Sequence, residues 1–165
     1  MDILFDRVSC RNYKSDDIPQ QDLDYILNAG MSAPTACNAQ EWSFLVVKNK
    51  ETHKKIMEIH AAAQMLKSAP VAILVLADIE KQYKNYWQQD CAAATQNILL
   101  AATAKGYGSV WCGVATNTER QEGIAKLFNL PHNIIPFSLI VIGKSNEDKK
   151  VKNRWDETKI KYEKF

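Results

Sequence analysis

The sequence predicts an α/β or α+β sandwich, a mixed central sheet flanked by helices, and three observations predict it. Four short runs, 44–47, 71–77, 110–114 and 137–142, are rich in β-branched residues and largely lack polar alternation. That is the pattern of strands covered on both faces. The segments between them repeat apolar residues at helical spacing, so helices and strands alternate along the chain. Finally, 165 residues with 46% hydrophobic and 24% charged content, without a repeat or Pro/Gly/Ser-rich linker, fit one domain, 1–165, able to bury a sizeable core.

The elements follow in order. Leu23, Ile26, Leu27 and Met31 form one stripe over 22–32, and Pro19 stands just before it, where helix starts favour proline. The strand 44–47 (FLVV) comes next. Ile56, Ile59 and Ala63 predict a helix over 51–63, followed by the strand 71–77 (VAILVLA). The longest helix is expected over 86–105, with Gly106 as its stop. The strand 110–114 leads into a helix over 119–128 that carries Ile124, Leu127 and Phe128 and is closed by Pro131. The strand 137–142 ends the series. Strand order does not follow from this reading.

Composition excludes several classes of function. A formal net charge of +2 is too small to point to nucleic acid or an anionic membrane. The most apolar stretch, 91–104, contains Thr95, Gln96, Asn97 and Thr103 and is too short and too polar to span a bilayer. The N-terminus lacks the charged start, apolar centre and small-residue cleavage site of a secretory signal, so a cytoplasmic protein is expected. Cys10, Cys37, Cys91 and Cys112 have neither C-x-x-C spacing nor histidines at ligand spacing, which predicts four reduced thiols and no metal. The helix over 91–104 is apolar nearly all round. It needs cover on most sides, either from its own core or from a second copy of the chain.

Four clusters carry chemistry. Arg7 and Arg11 bracket Ser9, and arginine forks with a hydroxyl suit phosphate oxygens, although basic pairs near a terminus are also common as solvated surface. The loop from Ala33 to Trp42 holds Pro34, Thr35, Asn38 and Gln40. Its amides offer donors and acceptors to the edge of a planar heterocycle, or make an ordinary capped turn. Gly106, Gly108, Trp111 and Gly113 allow a close ligand approach, or merely a helix stop and a strand start; the spacing is not G-x-G-x-x-G. Lys152, Arg154 and Trp155 lie in a charged C-terminal segment that also holds Tyr162 and Phe165, more aromatics than a solvated tail needs.

In order and spacing these clusters resemble the nitroreductase family. Arg7, Ser9 and Arg11 match its R-x-S-x-R-like start, and A-P-T-A-C-N-A-Q-E-W matches its A-P-S-x-x-N-x-Q-P-W loop. Gly106, Gly108, Trp111 and Gly113 match G-x-G-x-x-W-x-G, and 152–156 matches a basic closing segment. The resemblance covers nearly the whole chain. It implies a homodimer with FMN at the subunit interface. Arg7, Ser9, Arg11, Lys152 and Arg154 would hold the phosphate, and Pro34, Thr35, Asn38 and Gln40 would lie on the flavin, the first three reaching that of the partner subunit. Trp111 would sit against the ring and the Gly113 N–H would face flavin N5, with no dedicated acid or base. The segment 144–165 is expected to pack on the partner. NAD(P)H would reduce the flavin and a nitroaromatic, a quinone or a related small acceptor would reoxidise it, in ping-pong order. A flavin-binding sensor or storage protein, or a dimeric module without cofactor, would keep the fold without turnover. Two positions depart from the pattern: Thr35 preserves the hydroxyl of the usual serine, and Glu41 replaces proline, altering loop rigidity or placing a carboxylate near the substrate mouth.

Overall fold

The computed structural model describes residues 2–148, 151 and 153–165. A one-turn helix α1 (Ile3–Asp6) precedes α2 (Gln20–Met31), β1 (Trp42–Val47), α3 (Lys50–Ile59), β2 (Val71–Asp78), α4 (Trp87–Ala104), β3 (Gly108–Gly113), α5 (Thr118–Leu127) and β4 (Ile134–Gly143). The strands form one sheet in the order β1-β2-β4-β3, and every adjacent pair is antiparallel. The fold is α+β with flanking helices, as expected. The mixed character expected of the sheet is confined, among the described residues, to a single parallel bridge between Ser9 and Ser109. α3 and α5 link antiparallel neighbours, and α4 links β2 to β3, which run parallel on either side of β4, so alternation of helix and strand did not require adjacent parallel strands.

Alternate residues of the strands face two cores. Leu74, Leu139, Val141, Val110 and Cys112 pack with Ile56, Leu66 and Ile124 on one side. Ile73, Val75, Ile140 and Ile142 pack with Ile26, Ile98, Leu99 and Ala102 on the other. Both faces of β2 and β4 are therefore dry, which accounts for runs without polar alternation in an antiparallel sheet. Nine α4 residues, from Asp90 to Thr103, are buried by the chain itself. Ala93 and Leu100 are only partly covered, and Gln96 and Ala104 are exposed.

Local chemistry sets most boundaries. Asn49 and Asn117 cap α3 and α5, accepting from the N–H groups of Thr52 (3.0 Å) and Arg120 (2.7 Å). Gly106, at φ 80°, ends α4: its N–H donates to Thr103, and the Tyr107 N–H donates to Ala102. This pair of bonds is a Schellman closure, which needs a left-handed residue where glycine sits. Most predicted boundaries shift by a residue or two, and two move further. The helix expected over 51–63 stops at Ile59, because His60 turns its backbone extended and its ring inward; a 3-10 turn, Ala61–Lys67, follows. β4 begins at Ile134, before Pro136, although β4 is a central strand. The register slips where Leu76 faces Pro136 and Val75 faces Ser138, leaving Phe137 as the extra residue of a bulge. A bulge tolerates the missing N–H of proline.

Candidate flavin site

The site is built along the outer edge of β3, which pairs with β4 on one side only. The N-terminal segment crosses its beginning. Cys10 N–H donates to the Ser109 carbonyl (2.9 Å), and Ser9 forms the parallel bridge to Ser109. Gly108 is needed here, since a Cβ would stand 2.7 Å from the Cys10 sulfur. Tyr13 ties the segment down: its hydroxyl donates to the Cys10 carbonyl (2.6 Å), with the Val141 carbonyl at 3.1 Å. Burial, and then Cys10 nearby, push the Tyr13 phenol far above its ordinary value, so it remains a donor.

Beyond β4 the chain returns beside the same segment. Lys14 N–H donates to the Lys144 carbonyl (2.9 Å), Asn146 N–H to the Asn12 carbonyl (3.0 Å), and Arg11 N–H to Glu147 Oε1 (3.1 Å). This return brings the two ends of the sequence together. Arg7, Ser9, Arg11 and Arg154 line one cavity of about 860 Å³, with Asn153 and Trp155 beside them. Among the described residues, none of these three guanidiniums forms an ion pair with a carboxylate. Like charges around one cavity repel, so the arrangement suits an anion with several acceptor oxygens. Lys152 lies outside the described residues.

Gly113 stands at the far end of β3. Val114 N–H donates to Phe137 (3.1 Å), so the preceding pair, Gly113 and Ser138, is a non-hydrogen-bonded one. The N–H and C=O of such a residue point away from the partner strand, here toward the free edge. The Gly113 carbonyl is taken by His60 Nε2 (3.0 Å) and by an Arg120 guanidinium nitrogen (2.6 Å). A carbonyl only accepts, so the His60 proton sits on Nε2. Burial, and then the Arg120 charge, hold His60 below its ordinary value, which keeps the ring neutral. Trp111 is about one-third exposed and meets Phe137 edge-on at 5.8 Å; Phe137 in turn meets Trp87 at 6.1 Å. The bulge in β4 thus supplies the ring on which Trp111 rests.

The loop carrying Pro34, Thr35, Asn38 and Gln40 is a closed hydrogen-bonded unit. Gln40 N–H donates to Thr35 Oγ1 (3.0 Å) and its side-chain amide to Asn38 Oδ1 (2.9 Å). Cys37, Asn38 and Gln40 all have positive φ. Ala36 N–H donates to Asp90 Oδ2 (2.9 Å), in the first turn of α4. The cationic cavity adjoins the other end of this helix, since Ser9 shares a smaller cavity with Thr103 and Tyr107. From Asp90 to Thr103 a helix rises about 20 Å at 1.5 Å per residue. The chain by itself therefore does not bring the loop and the guanidiniums together.

Sequence reasoning missed His60, Arg120 and Asp90. His60 and Arg120 fall inside the helices expected over 51–63 and 119–128, and nothing in their spacing signals a shared carbonyl. Glu41 was placed at an open mouth as one alternative. It is instead buried, 1% exposed, beside Asp90. All four cysteines are unpaired. Among the described residues no helix is long and apolar enough to cross a membrane.

A four-stranded antiparallel sheet between helix layers, with a cavity lined by three arginines beside the β3 edge, defines the class as an α+β protein with a cationic cleft. Comparison with known proteins narrows this class. The sequence profile of the nitroreductase family matches residues 4–64 and 59–144. A Methanothermobacter thermautotrophicus protein provisionally named NADH dehydrogenase/NAD(P)H nitroreductase is 42% identical over 160 residues, covering 96% of this chain and 84% of that protein. Among solved structures, a provisionally named NADH oxidase from Clostridium acetobutylicum superimposes with a TM-score of 0.96 at 40% identity, over 99% of this chain and 100% of that one. An FMN-dependent nitroreductase from Clostridium difficile gives 0.92 at 31% identity, over 99% and 98%. The chain belongs to the nitroreductase family.

Proposed function

We propose that this protein is an FMN-dependent oxidoreductase that takes reducing equivalents from NAD(P)H and delivers them in ping-pong order to nitroaromatic, quinone or related small acceptors. The observation that carries this reading is the convergence of Arg7, Arg11 and Arg154, from opposite ends of the chain, on one cavity without a carboxylate partner. FMN, when bound, supplies the two-electron chemistry that side chains lack.

The chain's own residues bind and orient. The three arginines and Ser9 hold the phosphate, joined by Lys152. From Ser109 to Gly113 the β3 edge extends about 14 Å at 3.4 Å per residue, so phosphate and ring system find partners at its two ends. The Gly113 N–H, directed to that edge, is the candidate donor to flavin N5. His60 and Arg120 hold the Gly113 carbonyl, in the peptide that follows, and so anchor the residue whose N–H faces the edge. Trp111, braced on Phe137, flanks the ring. Pro34, Thr35, Asn38 and Gln40 act on the flavin of a partner subunit, a reading supported by their separation from the cavity of their own chain. The partly covered α4 residues Ala93 and Leu100 and the exposed aromatics Trp155, Tyr162 and Phe165 favour a homodimer in which 144–165 packs on the partner. Four unpaired cysteines favour a cytoplasmic setting.

The test is the visible spectrum of the purified protein, with acid release and identification of the chromophore, followed by NAD(P)H consumption with and without a quinone. A yellow protein that releases FMN and turns over supports the proposal. A yellow protein that consumes no NAD(P)H would point to a flavin sensor or store. A colourless protein that stays colourless after incubation with FMN would overturn the assignment.

A further inference from the structure

The carboxyl of Glu41 has no place in the binding scheme above, yet it is one of the most deeply buried polar groups in the chain. Neither of its oxygens meets a donor from another residue, and no cation pairs with it or with Asp90, among the described residues. Its neighbour within hydrogen-bonding reach is the Asp90 carboxyl. Asp90 already takes the Ala36 N–H on Oδ2 at 2.9 Å. Ala36 opens the loop and Glu41 closes it, so both ends of the loop converge on one side chain of α4.

We infer that Glu41 and Asp90 share one proton, and that this proton closes the 36–41 loop onto the start of α4, which makes Glu41 a positioning residue for the loop. Two buried carboxylates in contact repel when both are ionised. A proton between them converts the repulsion into a hydrogen bond, with one negative charge left to face the Ala36 N–H. The loop needs such a closure. Cys37, Asn38 and Gln40 hold left-handed backbone that non-glycine residues adopt at a cost, and they relax unless both ends are held. Burial pushes the Glu41 carboxyl above its ordinary value of 4.5 despite its own backbone N–H, and contact with Asp90 adds to the rise. The titratable groups facing it are Asp90 and Cys91; burial and the two carboxylates push the Cys91 thiol up, so it adds no charge of its own. The native state thus keeps a proton that the unfolded chain releases above about 4.5, and the closure weakens as pH rises through the raised value.

The loop's bearing on flavin rests on the proposed function; the shared proton does not. The experiment measures amide exchange at Ala36 in the full chain, as purified and after removal of FMN, against pH and corrected for intrinsic exchange. Wild type should lose protection by about tenfold or more as pH rises through the Glu41 titration. Glu41→Gln offers an amide donor to Asp90 and has no proton to lose, so its protection should stay flat over the same range. Infrared spectroscopy should also show, above pH 4.5 and below the Glu41 titration, a protonated carboxyl in wild type that Glu41→Gln lacks. Flat protection in wild type, a parallel decline in both proteins, or no protonated carboxyl overturns the inference. If Glu41→Gln does not fold, the wild-type infrared band and exchange profile decide alone. FMN affinity is measured over the same pH range. If Ala36 protection follows the prediction while FMN affinity does not change with it, the shared proton stands and the loop is removed from the flavin site.

Discussion

Removing one arginine from the cationic cavity should weaken FMN binding without harming the fold. Arg7, Arg11 and Arg154 contribute to the cavity and to no ion pair among the described residues. Arg7 is half-buried, while Arg11 and Arg154 are exposed. A hydrogen bond to a charged partner contributes about 1.5–3 kcal/mol net. Exposure places Arg154 at the low end of that range and Arg7 higher. At 1.4 kcal/mol per factor of ten, Arg154→Ala should raise the FMN dissociation constant about tenfold and Arg7→Ala by up to about a hundredfold. Lysine at either position keeps the charge but loses the fork, giving a smaller loss. The flavin-free protein responds in the opposite sense, because deleting one of three like charges relieves repulsion. Its melting temperature should hold or rise, while the stabilisation conferred by FMN shrinks. Fluorescence titration with FMN and with riboflavin separates the phosphate from the ring. Wild type should prefer FMN strongly, and the variants should lose that preference while binding riboflavin as before. Folded variants that retain the full preference would refute the clamp and return these arginines to ordinary surface.

Three further outcomes follow from the geometry. His60 is held below 6.5 by burial and Arg120, and His53 by burial, so the unfolded chain binds their protons first as pH falls; stability to urea should drop as pH is lowered from about 6.5, and His60→Gln should reduce that slope, leaving the part due to His53. Gly106→Ala places a Cβ on backbone at φ 80° and should cost about 1–2 kcal/mol, read by thermal or urea unfolding, with nothing nearby to clash. Ile98, fully buried between α4 and the sheet, should lose about 2–5 kcal/mol of stability on replacement by alanine, and a smaller urea-unfolding loss would mean that its site collapses readily.

By itself the sequence determined the local and the chemical. Runs such as VAILVLA had to be doubly covered strands, and they are. Asn117 and Gly106 bound their helices through the backbone groups beside them. The glycines, amides and arginines proposed for the site were visible as types in order, because the chemistry a side chain can perform travels with its identity. Tertiary structure decided everything that depends on which segments meet. His60 leaves its helix because a carbonyl from β3 lies within reach, a contact spanning fifty-three residues of chain. The Gly113 N–H faces the edge because pairing with β4 falls in one register, and a shift of one residue would turn it inward. Arg7 and Arg154 share a cavity because the strand order leaves β3 at an edge, where both chain ends can lie. In the sequence Glu41 stood only as a replacement for proline, altering loop rigidity or placing a carboxylate near the substrate mouth; packing against Asp90 made it a buried carboxyl. Such contacts are set by long-range burial and register, which no window of neighbouring residues encodes.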